Sequence, residues 1–270
     1  MRKEMNRVLF FILILTAALS ASCVLTVVDD RYPERSWYPK REFHKTLTLK
    51  TGGTLSLENV NGNIEIQGWD EEKVEIAAVE KREYTRSRGF YFDRAHQLEL
   101  DIPIQSSDDV ISIKTPSRGK EDDYRLVHYS LRVPRSVKIE GIRNGQGNIQ
   151  ITDVFGSVKI GQKEGNITIK NFSGSVDIAL GSGSVEAELL DVRPEDKVRI
   201  KTEQGDIGLY LEPGVEAQVE ANAPDGEVWS DIDLKQPLPA KIVSAQLGEG
   251  KASIILSALH GVIKIKKVQD

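Results

Sequence analysis

Apolar and polar residues alternate along most of this chain, which is typical of β-strands with one buried face. The alternation begins at Phe43 and resumes after each Gly- or Asn-containing turn, as in Leu55-Ser56-Leu57 and Ile64-Glu65-Ile66. A helical spacing of apolar residues does not hold over any useful length. The pattern therefore predicts an all-β protein over residues 42–268.

A short phrase that opens with glycine repeats in the middle of the chain. Its glycines are nine residues apart, at Gly147, Gly156, Gly165, Gly174 and Gly183. In each copy, Val, Ile or Ala stands two and four places after the glycine. Residues two apart on a strand point to the same side, so each phrase supplies an apolar pair to one face. Glycine followed by Asn or Ser suits a tight turn between the copies.

Alternate copies of the phrase resemble each other more closely than neighbouring copies do. GNIQITDVF at 147–155 matches GNITIKNFS at 165–173, and GSVKIGQKE matches GSVDIALGS. A repeat of eighteen residues with two strands predicts a coil, and coils stacked about 4.8 Å apart would align like strands in parallel sheets. The sequence thus predicts a single-stranded β-solenoid or β-helix-like stack of short strands with glycine turns. An antiparallel β-sandwich or meander is the alternative.

The period is interrupted in two places. Residues 81–123 form a polar excursion, and beyond Asp191 the phrase recurs at wider intervals, at Gly205, Gly226 and Gly261. The regular copies are explained by scaffolding alone, since glycine turns the chain and the Val/Ile pairs form a core. We therefore expect any specific activity in the irregular regions.

Composition and charge narrow the classes of protein. The 270 residues carry 36 Lys and Arg against 41 Asp and Glu, a net charge of -5. This balance gives no general attraction to nucleic acid, and no nucleic-acid partner is expected. The only cysteine is Cys23, which excludes an intrachain disulfide and a site built from several thiolates.

The N-terminus has the layout of an export signal. An apolar run from Val8 to Leu19 follows basic residues, and Ser20-Ala21-Ser22 leads into Cys23. Small residues that end at a cysteine resemble a bacterial lipobox, in which the thiol is acylated. We expect a lipoprotein signal peptide over residues 1–22, a lipid on Cys23 as membrane anchor, and a tether over 23–41. An ordinary cleaved signal and an uncleaved anchor are the alternatives; all three predict an exported protein of the bacterial cell envelope, periplasmic or surface-facing.

Three stretches carry a family resemblance: LENVNGNIEIQGWD at 57–70, HYSLRVPRSVKI at 128–139, and the G-x-[IV]-x-[IV] phrases that follow. Together they resemble the bacterial putative-adhesin family of β-strand-repeat domains of unknown function. The resemblance covers nearly all of residues 42–268. It implies an envelope protein with a β-solenoid domain, and it implies no catalytic residues.

No pattern typical of catalysis, cofactor binding or metal binding is found in the sequence. The four histidines have no shared spacing, and neither a G-x-S-x-G elbow nor a P-loop is present. We therefore predict a non-enzymatic protein without cofactor or metal site, used for binding or structural contact. The expected partners are a membrane, through Cys23, and a protein or polysaccharide ligand at the envelope.

Two other functions stay open at this point. The first is a carbohydrate-active enzyme on a β-helix, because glycosidases use paired carboxylates and four acidic residues alternate around Trp229: Asp225, Glu227, Asp231 and Asp233. The second is a module that senses the state of the envelope through a partner.

Overall fold

The computed structural model describes residues 36–37, 41–84, 100–119 and 125–268, which all belong to one compact unit. Within these residues the regular elements are twenty strands. The first ten are β1 Ser36–Trp37, β2 Arg41–Thr48, β3 Thr54–Asn61, β4 Ile64–Trp69, β5 Lys73–Tyr84, β6 Ile104–Ser106, β7 Val110–Lys114, β8 Arg125–Pro134, β9 Ser136–Gln146 and β10 Ile149–Thr152. The other ten are β11 Phe155–Glu164, β12 Ile167–Ser182, β13 Val185–Asp191, β14 Lys197–Gln204, β15 Ile207–Leu211, β16 Ala217–Asn222, β17 Val228–Ser230, β18 Ile242–Leu247, β19 Ala252–His260 and β20 Ile263–Lys267. The predicted all-β class is confirmed.

Successive strands of each coil lie on two faces. Face 1 contains, in spatial order, β8, β4, β10, the first half of β12, β13, β15, β20 and β17. Face 2 contains β7, β3, β9, β11, the second half of β12, β14, β19 and β16. Every neighbouring pair in these two series is parallel, as stacked coils require.

Apolar residues of successive coils stand in columns. Ile149 pairs with Ile167 and Ile167 with Val185 on face 1, each eighteen residues further along the chain. All three are buried in one continuous hydrophobic core. The predicted β-solenoid is therefore confirmed, and the antiparallel meander is excluded for these coils.

The looser period beyond Asp191 arises from a longer connection. Val185 pairs with Ile207, a separation of 22 residues instead of 18. The additional length lies in residues 192–196, between the end of β13 and the start of β14. The columns continue without a shift, because the insertion is confined to this turn.

The spatial order of the coils differs from their order in the sequence. The last coil, β19–β20, lies between the coils β14–β15 and β16–β17. In the same way β3–β4 lies between β7–β8 and β9–β10. Antiparallel strands cover the ends of the stack: β5 pairs with β8, β2 pairs with β5, and β18 pairs with β16.

Glycine is required at the turn from face 2 to face 1 for two reasons. Gly165 has a φ of +119°, and a Cβ at this position would lie 1.9 Å from the carbonyl oxygen of Gly147 on the neighbouring coil. Any other residue would be strained at this positive φ, and its Cβ would collide with the backbone of the neighbouring coil. Seven glycines share this corner: Gly62, Gly147, Gly165, Gly183, Gly205, Gly261 and Gly226.

An asparagine ladder runs beside this glycine column. The backbone N–H of Asn166 donates to Oδ1 of Asn148 at 3.0 Å, and the N–H of Ser184 donates to Oδ1 of Asn166 at 3.0 Å. At the end of the ladder, Nδ1 of His128 accepts the N–H of Asn63 at 3.2 Å. Burial lowers the pKa of His128, which favours the neutral ring that can accept this bond.

We expect Asn166→Ala to lower the free energy of unfolding by about 1 kcal/mol, because the Ser184 N–H loses its acceptor. The ladder is exposed to water, which limits the loss. Asn166→Asp keeps the accepting oxygen and should retain most of the stability. Urea denaturation checks the order, and equal midpoints for wild type and Asn166→Ala would contradict the role of the ladder.

The predicted signal peptide, Cys23 and most of the predicted tether lie outside the described residues. In the part of the chain that the structure describes, no helix combines the length and apolar character needed to cross a bilayer.

Candidate functional site

Small residues occupy neighbouring outward positions near the middle of face 2. Gly161 on β11 pairs with Ala179 on β12. Gly145 on β9 and Gly181 on β12 lie beside them, and the four residues line an open groove of about 850 Å³. Side chains that would otherwise cover the sheet are therefore missing here.

Three cations surround this floor: Arg143 on β9, Lys163 on β11 and Lys201 on β14. Arg143, Gly161, Ala179 and Lys201 occupy one row across four adjacent strands. Arg143 and Lys201 therefore stand about 14 Å apart at their backbones, three strand spacings. We call the site formed by Gly145, Gly161, Ala179, Gly181, Arg143, Lys163 and Lys201 the cationic groove; Glu203 is the acidic residue that also lines it.

A second groove of about 930 Å³ continues from the first along the strands and shares Arg143, Gly161 and Ala179 with it. Lys197 and Arg199 line its β14 side, so this strand carries outward cations at three alternate positions. Acidic residues are also present in this part, at Glu140, Asp177 and Glu195. Nζ of Lys159 lies 3.9 Å from Oδ2 of Asp177, so the positive charge is most concentrated in the cationic groove.

A β-bulge forms one side of the second groove. The register between β9 and β11 shifts between Lys159 and Ile160, which leaves Gly141 as an additional residue with a φ of +103°. Glu140 is exposed and Gly141 half-buried, between the buried Ile139 and Ile142. Bulges are frequent beside functional sites because they redirect a strand locally.

The cationic strand β14 is fixed at its start by Asp196, which is 4% exposed. Its carboxylate accepts hydrogen bonds from the Ser175 hydroxyl at 3.1 Å and from the Arg193 N–H at 2.8 Å. The same carboxylate raises the pKa of the Arg193 guanidinium. These contacts tie the inserted turn to β12 and so position the groove wall on β14.

Glycine at position 161 is not required by the fold. A Cβ on Gly161 would meet no atom within 4 Å, and its φ lies outside the left-handed region. In contrast, a Cβ on Gly145 would lie 2.2 Å from the Val60 carbonyl oxygen. Glycine inside a strand costs about 0.5–1 kcal/mol relative to alanine. The open floor at Gly161 therefore has no explanation in the packing of the described residues.

The acidic residues around Trp229 lie elsewhere, at the end of the stack on and beside β17 of face 1. Three of them bind local groups: Asp225 pairs with His260 Nδ1 at 2.8 Å, Asp231 accepts the Lys267 N–H at 2.9 Å, and Asp233 accepts the Lys235 N–H at 2.9 Å. The Trp229 side chain is 47% exposed beside Lys264. These carboxylates connect turns and strand ends. Among the described residues, no group of three His, Cys, Asp or Glu could hold a metal ion.

The cationic groove was not predicted from the sequence. One signal was available, because Lys197-Val198-Arg199-Ile200-Lys201 places three cations on the outward side of a strand. The glycine floor gave no such signal, since it depends on which residues of distant strands become neighbours.

The comparison with family models connects this fold to a known domain. Residues 135–266 match the model of Toastrack DUF4097. This part of the chain is similar to the Toastrack domain. The matched range contains every residue of the cationic groove, and the coil β3–β4, which lies outside that range, packs against it. Comparison with the curated proteins finds no match.

Comparison with solved structures finds bacterial proteins that are similar to this chain over most of its length. A putative cell adhesion protein from Clostridium sporogenes is 15% identical, with a TM-score of 0.48 over 85% of this chain and 100% of that chain. A putative lipid binding protein from Parabacteroides distasonis is 9% identical, with a TM-score of 0.33 over 85% and 97%. A putative adhesin from Bacteroides fragilis is 11% identical, with a TM-score of 0.32 over 84% and 97%. At these identities and TM-scores the likeness carries no inference about binding.

Proposed function

We propose that this chain is a non-enzymatic, adhesin-like lipoprotein of the bacterial cell envelope. Its β-solenoid presents an extended surface for binding or structural contact. The cationic groove is the observation that carries this proposal, because it is an open surface site lined by cations on a rigid stack of paired strands. Lys and Arg are charged at neutral pH and hold anionic groups without any proton transfer.

A lipid on Cys23 would place this surface close to a membrane. Strand β1 pairs with β5 at Ser36 and Trp37, so the part of the tether before β1 runs from residue 23 to residue 36. These thirteen peptide units could extend to about 45 Å at most. This length lets the solenoid stay bound to the membrane while its outer faces contact other envelope components. The N-terminal sequence and the tether length support this arrangement.

Metabolic labelling with a radiolabelled fatty acid tests the anchor. We expect the wild-type chain to carry the label and to fractionate with membranes, and Cys23→Ala to lose both properties. Ser22→Ala is the matched control, because it keeps a small residue before the cysteine and should retain the label. An unlabelled wild type, or label that persists on Cys23→Ala, would overturn the lipoprotein proposal.

A further inference from the structure

We propose that the cationic groove binds a linear acidic polysaccharide and that Arg143, Lys163 and Lys201 hold carboxylate groups on its sugars. This inference rests on the proposed binding function and assigns to it a site and a class of ligand. It can fail while the binding function itself stands.

The charge of the groove is the first support. The whole chain has a net charge of -5, yet the cationic groove combines three cations with one acidic residue. Lys163 and Lys201 have no carboxylate within 4 Å among the residues that the structure describes. Arg143 on β9 and Lys163 on β11 lie on neighbouring strands, where like charges repel each other, and an anionic ligand would offset this repulsion.

The existing partner of Arg143 indicates the preferred ligand group. Its Nη1 lies 3.2 Å from Oε1 of Glu58, and 76% of the Arg143 side chain is exposed. Arginine matches the planar carboxylate with two parallel donors. A carboxylate on a ligand could bind the same guanidinium from the solvent side.

The shape of the groove favours a single extended polymer chain. The two connected grooves run along the strands from Ser157 to Lys163, a length of about 20 Å at 3.3 Å per residue. Outward cations on β14 recur at every second residue, about 6.6 Å apart. A flat membrane surface would not reach the recessed floor at Gly161 and Ala179, whereas a narrow chain would.

The residue types that line the two grooves favour an acidic polysaccharide over a nucleic-acid strand. Single-stranded nucleic acids are usually bound through bases stacked on aromatic side chains. The described residues that line the two grooves include no aromatic residue. Cations above a floor of glycine and alanine suit a carboxylated sugar chain better than stacked bases.

Binding of the full-length chain, purified in mild detergent, to polygalacturonate tests the proposal. Fully methyl-esterified polygalacturonate is the matched control ligand, because it keeps the sugar backbone and removes the negative charges. We expect binding to the acid form only, and weaker binding when NaCl is raised from about 50 to about 200 mM. Equal binding to both forms would overturn the proposal.

Two variants locate the site. Lys163→Glu/Lys201→Glu should weaken binding by about tenfold or more, since attraction becomes repulsion. Lys170→Glu/Lys264→Glu makes the same change of net charge on face 1, where both side chains are exposed, and should bind as wild type does. Gly161→Gln fills the floor without a Cβ collision; it should weaken binding severalfold at unchanged thermal stability. Undiminished binding by both groove variants would contradict the assigned site.

Three further measurements distinguish the outcomes. Tighter binding to single-stranded DNA, or to vesicles of phosphatidylglycerol and phosphatidylcholine, would assign the groove to another partner and overturn the polysaccharide proposal. Co-sedimentation with delipidated cell envelopes that survives Lys163→Glu/Lys201→Glu would leave the binding function intact and remove the groove from it. A wild-type chain that binds no envelope material would overturn the binding function itself.

Discussion

Replacement of Gly165 by alanine is expected to lower the free energy of unfolding by about 3 kcal/mol or more. The added Cβ would lie 1.9 Å from the carbonyl oxygen of Gly147, far inside van der Waals contact, at a φ of +119° that L-residues avoid. The colliding atom is backbone on the neighbouring coil, so it can retreat only if the two coils separate. That separation would weaken the paired strands on both sides of the corner.

Gly161→Ala is the matched control for this prediction. It makes the same chemical change four residues earlier on β11, where a Cβ meets no atom within 4 Å and φ is unrestricted. We expect Gly161→Ala to be neutral or to stabilise by up to about 1 kcal/mol, because alanine loses less conformational entropy on folding. Urea denaturation of both variants measures the difference. Similar midpoints would show that the corner tolerates a side chain and that the glycine column is not a packing requirement.

The fold class could be predicted because one rule generates most of the structure. The similarity between copies eighteen residues apart predicts that Ile149, Ile167 and Val185 share a column, and the strand pairing confirms it. The rule depends only on local pattern, namely glycine for the turn and apolar residues two apart for the core.

The order of the coils could not be predicted from the same pattern. Every coil presents equivalent Val and Ile columns to its neighbours, so an exchange of neighbours leaves the alternation unchanged. The insertion of β19–β20 between β14–β15 and β16–β17 is therefore not encoded in the period. The position of β19–β20 depends on β18, which pairs antiparallel with β16 at the end of the stack and leads the chain back to β19.

The cationic groove depends on register as well as on residue type. Gly161 and Ala179 are eighteen residues apart, whereas Ala179 and Lys201 are 22 apart because of the inserted turn. A sequence search at one fixed period therefore misses the row that they form. The expectation that activity lies where the period breaks remains a prediction; in the proposed site, Lys201 follows the break while Gly161 and Ala179 belong to regular copies.

A buried ion pair joins β5 and β8, at the end of the stack that β5 covers. Its loss is the second change for which we expect a large effect on the free energy of unfolding. Glu80 on β5 and Arg125 on β8 are each 2% exposed, and Nε of Arg125 lies 3.4 Å from Oε1 of Glu80. Nη1 of Arg125 also donates to the Pro116 carbonyl oxygen at 2.7 Å. The pair therefore links β5 and β8 to the segment after β7, inside the region where antiparallel strands cover the stack.

Glu80→Ala is expected to lower the free energy of unfolding by about 3–5 kcal/mol, because it removes the carboxylate that lies beside the buried Arg125 charge. The double variant Glu80→Leu/Arg125→Met removes both charges and should restore stability close to that of wild type, or exceed it, because neither charge must then be desolvated. Chemical denaturation of the single and double variants measures the coupling. If the double variant is as unstable as Glu80→Ala, the loss comes from altered packing between β5 and β8 and not from the removal of the Glu80 charge beside Arg125.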